Sequence, residues 1–274
     1  MARQRVLVMI WLLLSSVLLE QVSAQPSPPE YSFAIVPQQS PGKLARAWVP
    51  VLQYLSEKSG YKLRFETTRD IPSFEWKLSQ EAFDFSYMNP YHYVVYHNKG
   101  YQALAKASNR KILGIIVVRK DSELRALDDL RASTIAFPSP NAFAASMIPR
   151  AILKESHVAF EPKYVSSHDS VYLEVERGIV KAGGGVMRTF ATTAPTVRDK
   201  LKILWTSEGY TPHAFAVHQR VPDQVRKAVY NAMEAMRHDA KGRRLLEHLK
   251  LEGIEAANNA DWDDIRRLPL SESD

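Results

Sequence analysis

Four stretches of this chain place hydrogen-bonding and aromatic residues where an apolar, β-rich run gives way to a helical one. The first is Val36-Pro37-Gln38-Gln39-Ser40-Pro41. The second runs from Phe83 to Tyr91 and carries Tyr87, Asn89 and Tyr91. The third, Phe137 to Ser146, carries Asn141-Ala142-Phe143-Ala144-Ala145, and the fourth is Ser167-His168-Asp169-Ser170. The first backbone N–H groups of a helix have no intrahelical partner and lie at its positive end, so such junctions suit an anion. In an open α/β sheet they cluster at the carboxyl ends of the strands, where solutes bind. Gln38 and Asn89 add side-chain amides, and Asn89-Pro90 also opens a helix with proline in its first turn. Tyr87 and Tyr91 offer flat walls with a hydroxyl at the tip, or else pack in the core. Asn141 either faces a ligand or caps its helix. His168 either donates to an anion or is a structural helix-start residue, and Asp169 either orients it or caps the helix.

Signatures of catalysis are missing. The chain has no G-x-S-x-G, H-E-x-x-H, P-loop or G-x-G-x-x-G, and no nucleophile–base pair is visible. Gly183-Gly184-Gly185 lacks the Lys-Ser/Thr of a phosphate loop and reads as a flexible strand start. His92 and His97 fall on different helix faces and His213 and His218 on opposite strand faces, so no metal site is expected, and no cofactor. Cysteine is absent, which excludes disulfides, thiolate metal sites and lipid attachment through cysteine. The formal charge of +6 suits an anionic ligand. No Lys/Arg run interleaved with aromatics points to nucleic acid.

Apolar strand-like runs and amphipathic helical runs alternate around these stretches. Strands are expected over 31–36, 62–67, 83–88, 112–119, 134–137, 163–167, 183–187, 201–206 and 213–218. Leu44, Trp48, Val51, Leu52 and Leu55 recur at helical spacing before Gly60, and Val225, Val229, Ala232, Met233 and Met236 do the same. Tyr91–Asn98, Ala142–Glu155 (kinked at Pro149), Asp169–Arg177 and Arg243–Leu249 read as further helices. The alternation gives an α/β fold of two lobes, each a mainly parallel sheet flanked by helices, joined by a hinge. Residues 31–117 and 211–274 form the first lobe and 118–210 the second. Arg3 and Arg5, the apolar stretch from Val6 to Leu19 and Val22-Ser23-Ala24 read as a signal peptide cleaved after Ala24, followed by a Pro-rich tether over 25–30. The mature chain is then expected in the periplasm, as a monomer.

In this order and spacing, four pieces carry a family likeness across most of residues 31–250. They are Asp84-Phe85-Ser86-Tyr87-Met88-Asn89-Pro90; Asp129-Leu130 with Ile135-Ala136-Phe137 leading to Pro149; Ser167-His168-Asp169-Ser170-Val171 with Gly178; and Leu204-Trp205-Thr206-Ser207. The chain resembles the substrate-binding proteins of phosphate, phosphite and phosphonate ABC importers, two-lobed periplasmic binding proteins of type 2. The resemblance implies a ligand cleft between the lobes, touched by Tyr87 or Tyr91, by the helix start at 141–145 and by His168. It implies a receptor, not an enzyme, that binds a small anion or anion-bearing organic molecule and delivers it to an importer permease. The alternative is a ligand sensor that presents its closed form to a membrane kinase. Such receptors hold the oxyanion with Ser-Thr-Ser-Gly where this chain has Ala142-Phe143-Ala144-Ala145. Each missing hydroxyl removes a charge-assisted hydrogen bond of roughly 1.5–3 kcal/mol.

Overall fold

The computed structural model describes residues 29–270. The expected leader and most of the tether lie outside the described residues, and Glu30 already belongs to the first strand. β1 (Glu30–Ile35) leads into α1 (Pro41–Ser59), which buries Leu44, Trp48, Val51, Leu52 and Leu55 as their spacing predicts. It ends at Gly60, whose φ of +77° is a left-handed cap suited to glycine. β2 (Lys62–Glu66) follows, then α2 (Ile71–Ser79), capped by Asp70 accepting from the Ser73 amide. β3 (Phe85–Met88), α3 (Pro90–Tyr96) and β4 (Tyr101–Ala107) complete this passage of the first lobe.

The chain then crosses to the second sheet. β5 (Ile112–Arg119), β6 (Ser133–Phe137), α4 (Ile148–Glu155), β7 (Phe160–Tyr164), α5 (His168–Glu176), β8 (Ala182–Val186), α6 (Met187–Ala191), α7 (Pro195–Arg198) and β9 (Leu201–Tyr210) follow in order. It returns as β10 (Ala214–His218), α8 (Asp223–Ala235), α9 (Ala240–His248), β11 (Ile254–Ala256) and α10 (Asp263–Arg266). The expected boundary after residue 117 falls inside β5, all of which pairs with β8 and β9 in the second sheet, so the outward crossing lies between β4 and β5.

The strand orders are β11-β4-β10-β3-β1-β2 and β7-β6-β8-β5-β9. Both sheets are mixed, where the alternation suggests mainly parallel ones. β1, β2 and β3 run together, as do β6, β7 and β8, because helices connect them. β5 and β10, which bring the chain in from the other lobe, and β9, which leads it out, run antiparallel to their neighbours.

The segment expected as one helix kinked at Pro149 is instead a π-turn over Phe143–Met147 followed by α4, with Pro149 in its first turn. Ser146 and Met147 both donate to the Ala142 carbonyl, and Ile148 donates to that of Phe143. Pro149 has no N–H to reach Ala145, so the proline ends an α-helical ladder before it begins. The carbonyls of Ala144 and Ala145 lie on the sheet instead. A Cβ on Gly114 of β5 would sit 2.2 Å from Ala144 O, and one on Gly184 of β8 would sit 2.0 Å from Ala145 O. Gly184 is therefore not a flexible strand start: it is a buried mid-strand residue whose missing side chain admits the turn. Gly184→Ala is expected to cost about 3 kcal/mol, at the upper end for overpacking a core. Urea unfolding checks it, and wild-type stability in the variant would show that the turn is not pressed onto β8.

Candidate functional site

The π-turn brings the third stretch of the sequence against the first lobe. Gln38, Asn89, Ala142, Phe143, Ala144, Ala145 and His168 line one pocket between the lobes, together with Val36, Ile71, Ile112, Val186 and His213. The amides of Phe143, Ala144 and Ala145 have no acceptor among the described residues. The lobes close directly on one another here. His168 N–H donates to the Gln38 carbonyl at 3.0 Å, and Asn89 Nδ2 to the Asn141 carbonyl at 3.1 Å. Arg188 Nη2 donates to Gln38 Oε1 at 2.8 Å, and Lys43 pairs with Asp169 at 3.0 Å. The enclosed volume is about 10 Å³, room for a single water. Anything larger has to part the lobes.

Several residues take roles other than those expected from sequence. Asn89 does cap α3, accepting from the His92 amide at 2.8 Å, while its Nδ2 bridges the lobes. Asn141 caps nothing: Ala142 is at the N-cap position, and the Asn141 side-chain oxygen is buried without a partner. Ser167, not Asp169, caps α5, accepting from the Ser170 amide, because it holds the extended backbone a cap requires. Asp169 faces Lys43 of the other lobe. Tyr87 sits among Trp48, Phe215 and His213, with ring centroids 4.8, 4.7 and 4.9 Å away, and lines a neighbouring cavity rather than this pocket. Tyr91 is buried in the first-lobe core and does not line the pocket.

His168 is the most altered. Thr189 Oγ1 lies 2.9 Å from the Val186 carbonyl, 3.0 Å from the Tyr172 hydroxyl and 3.0 Å from His168 Nδ1. With the Thr189 hydrogen on the Val186 carbonyl, Thr189 accepts from Nδ1–H, the tautomer that leaves Nε2 an acceptor. Burial, with the nearby Arg188 and Lys43 cations, pushes the imidazole from its ordinary 6.5 down to about 3. In that tautomer His168 offers the pocket a neutral acceptor, not the anion donor the sequence suggests. His213 is also held well below its ordinary value by burial and by Arg188, and its Nε2 is buried without a partner.

His213 and Arg188 escaped the sequence reading. Arg188 begins the helix after β8, the same strand-end position that singled out the other stretches. His213 lies on the return crossing just before β10, where no helix start marks it. Among the described residues no cluster of His, Asp or Glu is placed to hold a metal, and no helix is long and apolar enough to cross a membrane.

Two sheets of this topology, crossed twice by the chain and closing their strand-end loops over one pocket, define a type 2 periplasmic binding protein. The chain belongs to the family of periplasmic substrate-binding proteins of phosphonate ABC transporters, whose family model matches residues 33–262. It is similar to the binding component of an ABC phosphonate transporter from Pseudomonas aeruginosa, with a TM-score of 0.80, 16% identity, and 88% of this chain and 85% of that one covered. It is similar also to PhnD1 from Prochlorococcus marinus in complex with methylphosphonate, with a TM-score of 0.80, 14% identity and coverage of 88% and 97%. An ancestral arginine-binding protein bound to arginine shares the fold more distantly, with a TM-score of 0.58, 16% identity and coverage of 80% and 96%. The family consists of periplasmic binding proteins of transport, not of enzymes.

A His buried as the neutral form makes stability depend on pH. Unfolded, His168 binds a proton below about 6.5; folded, it resists one until about 3. Stability is thus complete above 6.5 and falls with acidification through that window, by about 1.4 kcal/mol per pH unit for each such group. His213 shifts in the same direction and adds to the slope. Urea unfolding between pH 7 and 4.5 is expected to show this fall, and His168→Gln to make it shallower. An unchanged slope in the variant would mean that His168 is not held neutral.

Proposed function

We propose that this chain binds a phosphonate between its lobes as the singly protonated anion and carries it to the permease of an ABC importer. The observation that carries the reading is the pairing, in one pocket, of three amides without acceptors at Phe143–Ala145 with a neutral imidazole at His168, whose Nε2 accepts when Thr189 holds the Nδ1 proton. A phosphonate monoanion offers both halves of that pattern: unprotonated oxygens for the amides and one hydroxyl for His168 Nε2. Asn89, Gln38 and His213 supply the remaining polar edges, while Val36, Ile112, Val186 and Phe143 surround an organic substituent. The ligand enters with the lobes parted and bridges them in a form closed less tightly than this one, in which the pocket holds only a water, and it shifts the open–closed equilibrium through its contacts with both. The loss of hydroxyls from the anion loop leaves amide dipoles to hold the charge, so affinity is lower than a Ser/Thr-bearing loop would give.

Calorimetry with methylphosphonate tests this. Affinity is expected to fall as pH rises through the second ionisation of the ligand, because the dianion has no hydroxyl for His168. Ala142→Ser, which returns one hydroxyl to the loop, is expected to tighten binding about tenfold or more. Affinity that grows with ligand ionisation would overturn the assigned role of His168. No measurable binding of methylphosphonate, phosphite or phosphate by either protein would overturn the reading as a whole.

A further inference from the structure

Next to the small pocket lies a second, larger cavity between the lobes, of about 560 Å³, within the range of sites that hold organic ligands. Gln38 lines both. Its floor is apolar and aromatic, built on Trp48 and Tyr87, whose ring centroids are 4.8 Å apart. Its walls are basic: Lys43, Arg46 and Lys250 come from the first lobe and Arg188 from the second, with no carboxylate among the lining residues. Lys43 is matched by Asp169. Arg46 and Lys250 have no acidic partner among the described residues, and Arg188 is held only by the neutral Gln38 side chain. Drawing these like charges together across a closing cleft is unfavourable unless an anion lies among them. Arg188 also stands at the junction of the two cavities, close enough to depress the ionisation of both His168 and His213.

We propose that the ligand spans both cavities, and that it is an organic phosphonate carrying a second anionic group rather than a bare alkylphosphonate. This rests on the phosphonate reading of the small pocket. The phosphonate lies against the Phe143–Ala145 amides, the linker passes Gln38 over the Trp48–Tyr87 floor, and the second anion meets Arg188, Arg46 and Lys250. The distal group supplies the charge-assisted contacts that the Ala-Phe-Ala-Ala loop no longer gives.

The test is calorimetry of the mature protein with methylphosphonate and with phosphonopropionate, in the wild type and in an Arg46→Gln/Lys250→Gln double variant. Both substituted side chains are exposed, so the fold should tolerate the change. Phosphonopropionate is expected to bind the wild type at least about tenfold more tightly than methylphosphonate, an effect of a few partly exposed ion pairs. The double variant should lose that advantage and keep its affinity for methylphosphonate. Equal affinities in the wild type, or an advantage that survives in the double variant, overturns the two-cavity ligand while leaving the small pocket intact. Failure of the wild type to bind either compound removes the phosphonate reading and this inference together.

Discussion

The close seating of a helix start on two glycine positions is the constraint on which the cleft depends. Ala144 O and Ala145 O lie where side chains on Gly114 and Gly184 would otherwise stand. Ile148 bonds five residues back and Pro149 lacks an N–H, so neither amide is given to Ala144 or Ala145, whose carbonyls lie against the sheet. The same arrangement leaves the amides of Phe143–Ala145 at the lobe interface with no acceptor. Polar groups of one peptide turn are thus divided between a packed sheet on one side and a ligand pocket on the other.

Closure across that pocket is distributed over modest contacts. Two run through the backbone or side chain of Gln38, one joins Asn89 to Asn141, and one pairs the half-buried Lys43 and Asp169. A partly exposed pair of this kind is worth about 0–1 kcal/mol, and neutral hydrogen bonds exchanged with water are worth about 1 kcal/mol each. No single contact locks the lobes. A receptor needs that balance, because a ligand shifts the equilibrium only by the difference in its affinity for the two forms.

The electrostatics of the site follow from burial more than from composition. Its two lining imidazoles are neutral, and residues 142–145 of the loop that opens it carry no hydroxyl. The small pocket therefore offers oriented amides and neutral imidazoles. The cations gather beside it instead, in the larger cavity around Arg188. In the proposed mode of binding, charge sets the reach of the ligand and hydrogen-bond direction sets its protonation state.

Much of the fold and part of the lining of the candidate site were legible in the sequence. Apolar periodicity placed α1, α8 and most strands, and the strand-to-helix junctions marked Gln38, Asn89, Ala142–Ala145 and His168, because local pattern dictates where amides are left unpaired. The boundary at β5 and the π-turn before Pro149 were not legible, since each depends on which neighbouring strand or carbonyl is within reach, and the cap at Ser167 turned on which of two nearby residues takes the extended backbone. The sequence also could not show that Thr189 would fix the His168 tautomer, or that Arg188, 150 positions from Gln38, would bond to it. One-dimensional pattern determines which backbone groups need partners. Only the packing of two lobes decides which side chains answer them, because those partners are distant in the chain and meet only when both sheets have formed.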